Sequence, residues 1–285
     1  MEKKLMLRGL LVGALAGLVA FVFTRIFAEP QIQAAIDYGV GRDFTQAVLD
    51  KAAGLPAEPA SMDIFNRTIQ ANLGVGLGMI LFGIAMGALF AVAYTVCLGR
   101  VGRLRPRSLA LLVATGGFLG VYLVPFVKYP ANPPSIGHAG TITDRGGLYL
   151  LMMLCSVVFL VSAVWLGQRL AARFGNWNAS LLAGAAFVVA IGIVMAILPS
   201  WGQLAVNEQQ FGHQVTETPL PLTNASGTIV YPGFPADVLF DFRLYSVATQ
   251  LILWATIGLA FAPLAEQLLN PRRGVVPGEQ IPAGG

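Results

Sequence analysis

The stretch from Pro125 to Arg145, PFVKYPANPPSIGHAGTITDR, separates two apolar runs that are each long enough to cross a bilayer. Proline fixes φ and lacks a backbone N–H, and it also disfavours helix in the residue before it. The helix that precedes the stretch therefore cannot continue through it. We predict a rigid connector at one membrane face, braced by the prolines Pro130, Pro133 and Pro134.

The composition of the whole chain is that of an integral membrane protein. Hydrophobic residues make up 56% of the 285 residues and charged residues only 11%, whereas a soluble domain carries about 25% charged residues. The basic residues flank apolar runs, which indicates topology signals and not a nucleic-acid-binding surface. Cys97 and Cys155 lie inside apolar runs, so we interpret both as buried hydrophobic residues without a disulfide.

Six runs approach the length of about 20 mainly apolar residues that a spanning helix needs. The fifth is the shortest, and its loss would place the two termini on opposite sides of the membrane. We predict an all-α integral membrane protein with six transmembrane helices in residues 1–270 and a disordered cytoplasmic tail at residues 271–285. The predicted spans are residues 5–27, 71–98, 109–127, 148–166, 181–198 and 244–264.

Charge differs strongly between the two sets of connecting segments. With the N-terminus inside, the inner segments hold 11 basic and 3 acidic residues, whereas the outer segments hold 7 basic and 11 acidic residues. Positive charge accumulates in short cytoplasmic loops, so both termini are predicted to be cytoplasmic, in a bacterial cytoplasmic (inner) membrane. The outer side then carries three ordered connectors: residues 28–70, the proline-rich stretch and residues 199–243.

The spans also suggest three helix–loop–helix hairpin repeats. Spans one, three and five are predicted to end at prolines, and each following span begins with a polar residue and an arginine. Repeats are common in transporter folds, and we state this one as a hypothesis. The prolines are Pro30, Pro130 and Pro199, and the entries are Asn66-Arg67, Asp144-Arg145 and Asp241-Phe-Arg243.

Glycines recur at helical spacing in the first two spans. Small residues at this spacing allow helix backbones to approach closely in lipid. The glycine-rich run at Gly74 follows no strand and lacks the lysine of a phosphate-binding loop, so helix packing is the favoured interpretation. The glycines are Gly9, Gly13 and Gly17 in span one, and Gly74, Gly78, Gly83 and Gly87 in span two.

Arginines at the outer ends of spans have two interpretations, which the sequence leaves open. The four arginines Arg25, Arg67, Arg145 and Arg243 could extend to the lipid headgroups with their stems in the apolar layer. Alternatively, they could pair inward with acidic residues and fix the outer loops over the bundle as structural clamps. The nearest acidic residues are Glu29, Asp144, Asp237 and Asp241.

Ionisable residues are confined to the connectors and the ends of the spans. No Asp, Glu, Lys or His falls in the middle of any run, so catalysis within the membrane is disfavoured, and we predict neither an enzyme nor a bound cofactor.

The two histidines, His138 and His213, lie in outer loops. Imidazole is a preferred ligand of Co, Ni, Cu and Zn, although each ring could equally be solvated, and whether the two meet stays open.

Several short motifs distributed along the whole chain resemble the CbtA family, predicted bacterial cobalt transporter subunits. The resemblance implies cobalt uptake linked to cobalamin synthesis, together with a small single-span partner of the CbtB type that carries a histidine-rich end. The segment from Trp201 to Val230 resembles an insertion. The matching motifs are Phe27-Ala-Glu-Pro30, Phe126-Val-Lys-Tyr-Pro-Ala-Asn-Pro-Pro134, Thr141-Ile-Thr-Asp-Arg145, Phe234-Pro-Ala-Asp237 and Phe242-Arg243-Leu.

We therefore predict the larger subunit of a Co²⁺ importer embedded in the lipid bilayer. Acidic groups on the outer face would raise the local concentration of a cation without setting its selectivity. The main alternative is a non-transporting assembly or sensor component whose outer loops bind a protein; a membrane enzyme acting on a lipid-linked substrate is a weaker one. The candidate metal-binding vestibule comprises Glu29, Asn132, His138, Asp144, Asp237 and Asp241.

Overall fold

The computed structural model describes residues 2–56, 66–102, 104–134, 136–214 and 216–269. The predicted disordered tail at residues 271–285 lies outside these described residues. In the part that is described, five helices are long and apolar enough to cross a membrane, as expected for an all-α membrane protein. The helices are α1 (Glu2–Ala52), α2 (Arg67–Cys97), α3 (Pro106–Lys128), α4 (Ile142–Ile197), the short α5 (Ala205–Phe211) and α6 (Ala236–Leu269).

Among the described residues there are five long helices where six spans were predicted, because the fourth and fifth runs lie in the single element α4. Gly175 interrupts this element with non-helical angles, φ 74° and ψ 164°, a conformation that glycine adopts without a steric penalty. The two arms pack on each other: Met152 and Ile191 share one buried cluster, and a Cβ at Gly167 would lie 3.4 Å from that of Ala183. Six crossings and the three repeats stay predictions.

The sequence predicted that the first helix ends at Pro30. Helix α1 instead continues to Ala52. A π-helical turn, Thr24–Ala28, precedes the proline, which then occupies the first turn of the following α-helical segment. At that position the missing N–H of proline removes no regular helical hydrogen bond. Residues 29–52 of the first connector are therefore a helical extension beyond the apolar run.

The core of the bundle is the contact between α1 and α2, against which α6 packs. Glycines on both helices bring the backbones together, as predicted: a Cβ added at Gly83 would lie 2.7 Å from Cα of Gly17. Gly78, by contrast, has nothing within 4 Å of its Cβ position. A buried hydrogen bond of 3.1 Å joins the hydroxyls of Thr24 and Thr249 and links α1 to α6.

The segments at one end of the bundle form an ordered cap, which we call the loop end: residues 29–52, 129–141 and 198–235. Its third segment contains a two-stranded antiparallel sheet of β1 (Leu222–Thr223) and β2 (Ile229–Tyr231). The Tyr38 hydroxyl donates to the Pro232 carbonyl at 3.0 Å. The three segments share one apolar cluster, which contains Ala35, Tyr38, Ile136 and Phe234.

We expect Gly83→Ala to lower the free energy of unfolding by about 1–3 kcal/mol, because the added methyl group overpacks the contact between α1 and α2. The matched control is Gly78→Ala on the same helix, which has open space and should leave stability unchanged or slightly raised. Thermal unfolding of both variants in detergent measures the difference. Equal stability of the two variants would contradict the packing described here.

Candidate functional site

Arg67 begins α2 and is tied to the loop-end half of α1. Its guanidinium forms an ion pair with Glu29, and its Nε donates to Oε1 of Gln33 at 3.2 Å. Glu29 is buried, so its charge needs this partner. Asn66 caps the start of the helix by accepting from the Ile69 N–H at 2.9 Å. The pair closes the hairpin of α1 and α2.

Arg243, near the start of α6, is bonded to the proline-rich connector. Its Nη2 donates to Oδ1 of Asn132 at 2.9 Å and its Nε to the Ala131 carbonyl at 3.2 Å. The connector is rigid at this point because Pro133 is fully buried. The structure thus joins Arg243 to an amide and a carbonyl, and not to Asp241 in the preceding turn.

Arg145, in the first turn of α4, forms an ion pair with Glu217 of the third loop-end segment, with Nη1 and Oε2 3.0 Å apart. The Glu217 side chain is only 1% exposed. Its Oε1 accepts from the Thr141 hydroxyl and from Nδ2 of Asn207, both at 2.6 Å. A side chain at Gly137, where φ is 109°, would clash with the Arg145 guanidinium, so the loop passes directly over the pair.

Arg145 and Arg243 together lock the second and third loop-end segments to each other. Arg145 follows the second segment and binds a carboxylate of the third, while Arg243 follows the third segment and binds an amide of the second. Tyr129 adds a further link, since its hydroxyl donates to the Pro199 carbonyl at 2.9 Å and its ring stacks on Trp201. Burial raises the pKa of Tyr129 above its usual value of 10.0, so it remains a neutral donor.

The other candidate vestibule residues belong to three elements: His138 precedes α4, Asp144 lies in α4, and Asp237 and Asp241 lie one turn apart in α6. His138 accepts from the Gly140 N–H through Nδ1 at 3.0 Å. Asp144 is exposed in the first turn of α4, and Asp237 is exposed in the first turn of α6. Asp241 accepts from Nε2 of Gln31 at 3.4 Å.

No ready-made metal centre occurs within the described residues. No three side chains from His, Cys, Asp and Glu are grouped there closely enough to hold a metal ion. His213 lies 3.3 Å from the Glu208 carboxylate on the exposed surface, whereas His138 lines a cavity with Glu217 and Asn207. The assignment of a cation to the candidate vestibule is therefore taken up below as a proposal.

Cavities lined by Arg145 or by its partner Glu217 lie at this end of the bundle, and two of them contain further polar groups. One, of about 410 Å³, is lined by Asn132 and Arg145 at the loop end and by Tyr122 and Tyr149 on facing helices. The hydroxyls of Tyr122 and, deeper along α4, of Ser156 are buried without a hydrogen-bond partner among the described residues. The second cavity, of about 320 Å³, lies over Asn207 and Glu217.

Glu217 and Asn207 are the functional candidates that sequence reasoning missed. Both lie in the segment interpreted as an insertion, far from Arg145 along the chain. The available signal was weak: Glu208 and Glu217 are the only acidic residues between Pro199 and Pro235, and a buried arginine requires an acidic or carbonyl partner.

The structure is that of a multi-pass membrane protein. Its long apolar helices end on one side at an ordered cap, which contacts of arginine side chains hold in place. A family model described as "Probable cobalt transporter subunit (CbtA)" matches residues 2–266, and the chain belongs to this family. The resemblance noted in the sequence is thereby confirmed. Comparison with curated proteins and with solved structures gave no match.

We expect Arg145→Met to lower the free energy of unfolding by about 3–5 kcal/mol, because it leaves the buried Glu217 carboxylate without a counter-charge. Urea or thermal unfolding in detergent measures the change. The double variant Arg145→Met with Glu217→Gln removes both charges and should lose less stability than the single variant. Lys51→Met at the exposed end of α1 is the neutral control, and an equal loss in the single and double variants would contradict the clamp.

Proposed function

We propose that this chain is the membrane subunit of a Co²⁺ uptake transporter that supplies cobalamin synthesis. The observation that carries the proposal is the family match over residues 2–266, which covers the five long apolar helices of the described residues apart from the last three residues of α6. Membership of a transporter-subunit family favours transport over an enzymatic role. The transported ion is then the substrate of the protein and not a resident cofactor.

We further propose six membrane crossings with both termini in the cytoplasm and the loop end outside the cell. Two facts support this topology. The turn at Gly175 allows the two arms of α4 to cross in opposite directions. The end opposite the cap gathers residues assigned to the cytoplasm, since Arg8 donates to the Leu264 carbonyl and Arg107 pairs with Glu266. Basic residues concentrated there match the charge asymmetry of the sequence.

The acids beside the loop end, Asp144 and Asp237 together with the half-buried Asp241, would form the cation-attracting vestibule. Asp144 and Asp237 are solvent-accessible at the starts of α4 and α6, where they can raise the local cation concentration and the capture rate. Glu29 and Asn132 are bonded to arginines, which supports a role for them in holding the shape of the vestibule. His138 would contribute an imidazole at its rim.

A small single-span subunit of the CbtB type would complete the transporter. This proposal is supported by the scarcity of strong ligands on the chain itself, because a partner with a histidine-rich end supplies the imidazoles that Co²⁺ prefers. The alternative function is a non-transporting assembly or sensor component, in which the ordered loop end binds a protein. The two functions differ in whether the chain is required for metal uptake.

Accumulation of radioactive cobalt in cells expressing the chain with its partner tests the function. Uptake should fall to background when this chain is deleted and the partner is kept. We expect Asp144→Ala combined with Asp241→Ala to reduce uptake several-fold, whereas the control Asp50→Ala on α1 should have no effect. Full uptake without the chain would favour the assembly or sensor role, and full uptake by the double variant would remove the vestibule assignment.

Labelling of single cysteines by a membrane-impermeant maleimide tests the topology, in a background with Cys97 and Cys155 replaced by alanine. We expect Ser226→Cys, in the turn between β1 and β2, to react in intact cells. Arg100→Cys, after α2, and Asn176→Cys, at the turn of α4, should react only after permeabilisation. Labelling of Asn176→Cys in intact cells would contradict six crossings.

A further inference from the structure

A groove between α1 and α2, beside the loop end, carries a surplus of positive charge. It has a volume of about 330 Å³, and its lining includes Arg25 of α1 together with Arg67 and Asn72 of α2. Glu29 is the one acid that lines it among the described residues, and it forms an ion pair with Arg67. The positive charge of Arg25 is therefore not balanced by the lining.

Arg25 is held in one orientation by α2. Its Nε donates to Oδ1 of Asn72 at 2.8 Å, and Nδ2 of Asn72 donates to the Thr68 carbonyl at 2.9 Å. The acceptor beside Nδ2 identifies the other amide atom as the oxygen that faces Arg25. No hydrogen bond or ion pair within the described chain uses the Nη groups of Arg25, so these donors are available to a ligand.

The donors of the groove can be reached from outside the protein, on a surface that is otherwise apolar. Arg25, Thr68 and Asn72 are all exposed. Next to them, Ile26 and Leu73 are 59% and 68% exposed, on helices that are long and apolar enough to cross a membrane. A charged side chain at the end of such a helix needs water or an opposite charge, and an anion at this surface would satisfy Arg25.

Irregular helix forms both sides of the groove. Arg25 lies in the π-helical turn Thr24–Ala28 of α1, and Asn72 lies in the π-helical turn Gln70–Gly74 of α2. Turns of this kind are rare and are frequently found at functional sites. The bond between Arg25 and Asn72 joins the two turns, so the same pair of residues links the helices and positions the free donors.

The other arginines at the predicted outer ends of the spans are occupied by groups of the protein. Arg67 and Arg145 form ion pairs with acidic residues, and Arg243 is bonded to an amide and a carbonyl. Arg25 differs from all three, because its one partner in the described part of the chain is a neutral amide. Of the two interpretations that the sequence leaves open, contact with lipid headgroups therefore suits Arg25.

We propose that this groove binds the phosphodiester group of a phospholipid. A guanidinium donates parallel hydrogen bonds to two oxygens of a phosphate, and the Nη groups of Arg25 supply them here. The exposed Thr68 hydroxyl is a further donor in the lining. The acyl chains of the same molecule lie over Ile26 and Leu73, so a lipid covers more of this surface than a free phosphate ion does. The phosphate also neutralises the surplus charge of the groove.

Native mass spectrometry of the purified full-length chain in detergent tests the site, because it counts bound lipid molecules. The probes are phosphatidylglycerol and a diacylglycerol with the same acyl chains, which lacks the phosphate. We expect one molecule of phosphatidylglycerol to bind about tenfold more tightly than the diacylglycerol, since charge-assisted hydrogen bonds are the strong ones. Arg25→Gln should weaken the binding of that molecule about tenfold and Asn72→Ala about threefold. Lys51→Gln, which removes one exposed positive charge elsewhere on α1, is the unchanged control.

Three results would overturn the site. Equal binding of phosphatidylglycerol and diacylglycerol would mean that the acyl chains alone are recognised. The same number and affinity of bound phosphatidylglycerol molecules in Arg25→Gln would exclude this groove, and the exposed position of Arg25 keeps that variant folded. Displacement of the lipid by inorganic phosphate would assign the groove to the free ion. None of these results depends on cobalt uptake, because the transported ion takes no part in the measurement.

Discussion

The loop end depends on one constraint, that a guanidinium group placed near a bilayer and away from water must have a fixed partner. Arg67, Arg145 and Arg243 each stand where the chain enters a helix, and each is bonded to a group from another segment. Since breaking a buried pair leaves an uncompensated charge, the connectors cannot move independently. The Arg145 and Arg243 clamps join the second and third loop-end segments, and the apolar cluster that contains Tyr38, Ile136 and Phe234 adds the first segment to the cap.

The bundle below the cap is held by a different interaction. Glycines let the backbones of α1 and α2 approach so closely that a methyl group does not fit, and in lipid such contacts replace the hydrophobic effect as the source of helix association. The π-helical turns of α1, α2 and α3 lie next to the loop end or on the side of the bundle that faces it, at Thr24–Ala28, Gln70–Gly74 and Phe118–Leu123. Close glycine contacts therefore stabilise the part of the bundle away from the cap, whereas the π-helical turns lie in the part next to the cap.

The sequence predicts those features that depend on local composition. Apolar length located the helices, small-residue spacing located the contact between α1 and α2, and prolines located the rigid connector. It could not predict that α1 continues past Pro30, because the preceding π-helical turn has no clear compositional signal. Nor could it pair Arg145 with Glu217, which lies 72 residues away, since the neighbouring Asp144 offers the same charge. Long-range partners of buried charges require the tertiary structure.

The distribution of polar groups suggests how the chain could handle a strongly hydrated ion. The groups proposed to attract a cation are the exposed carboxylates of Asp144 and Asp237; deeper in the bundle, the hydroxyls of Tyr122 and Ser156 are buried without a hydrogen-bond partner among the described residues. All are weak ligands compared with imidazole or thiolate. Transport requires binding that is favourable enough for entry and weak enough for release. Under the proposed function, the exposed carboxylates of the vestibule meet that requirement, and the proposed partner subunit would supply the stronger ligands that discriminate between metals.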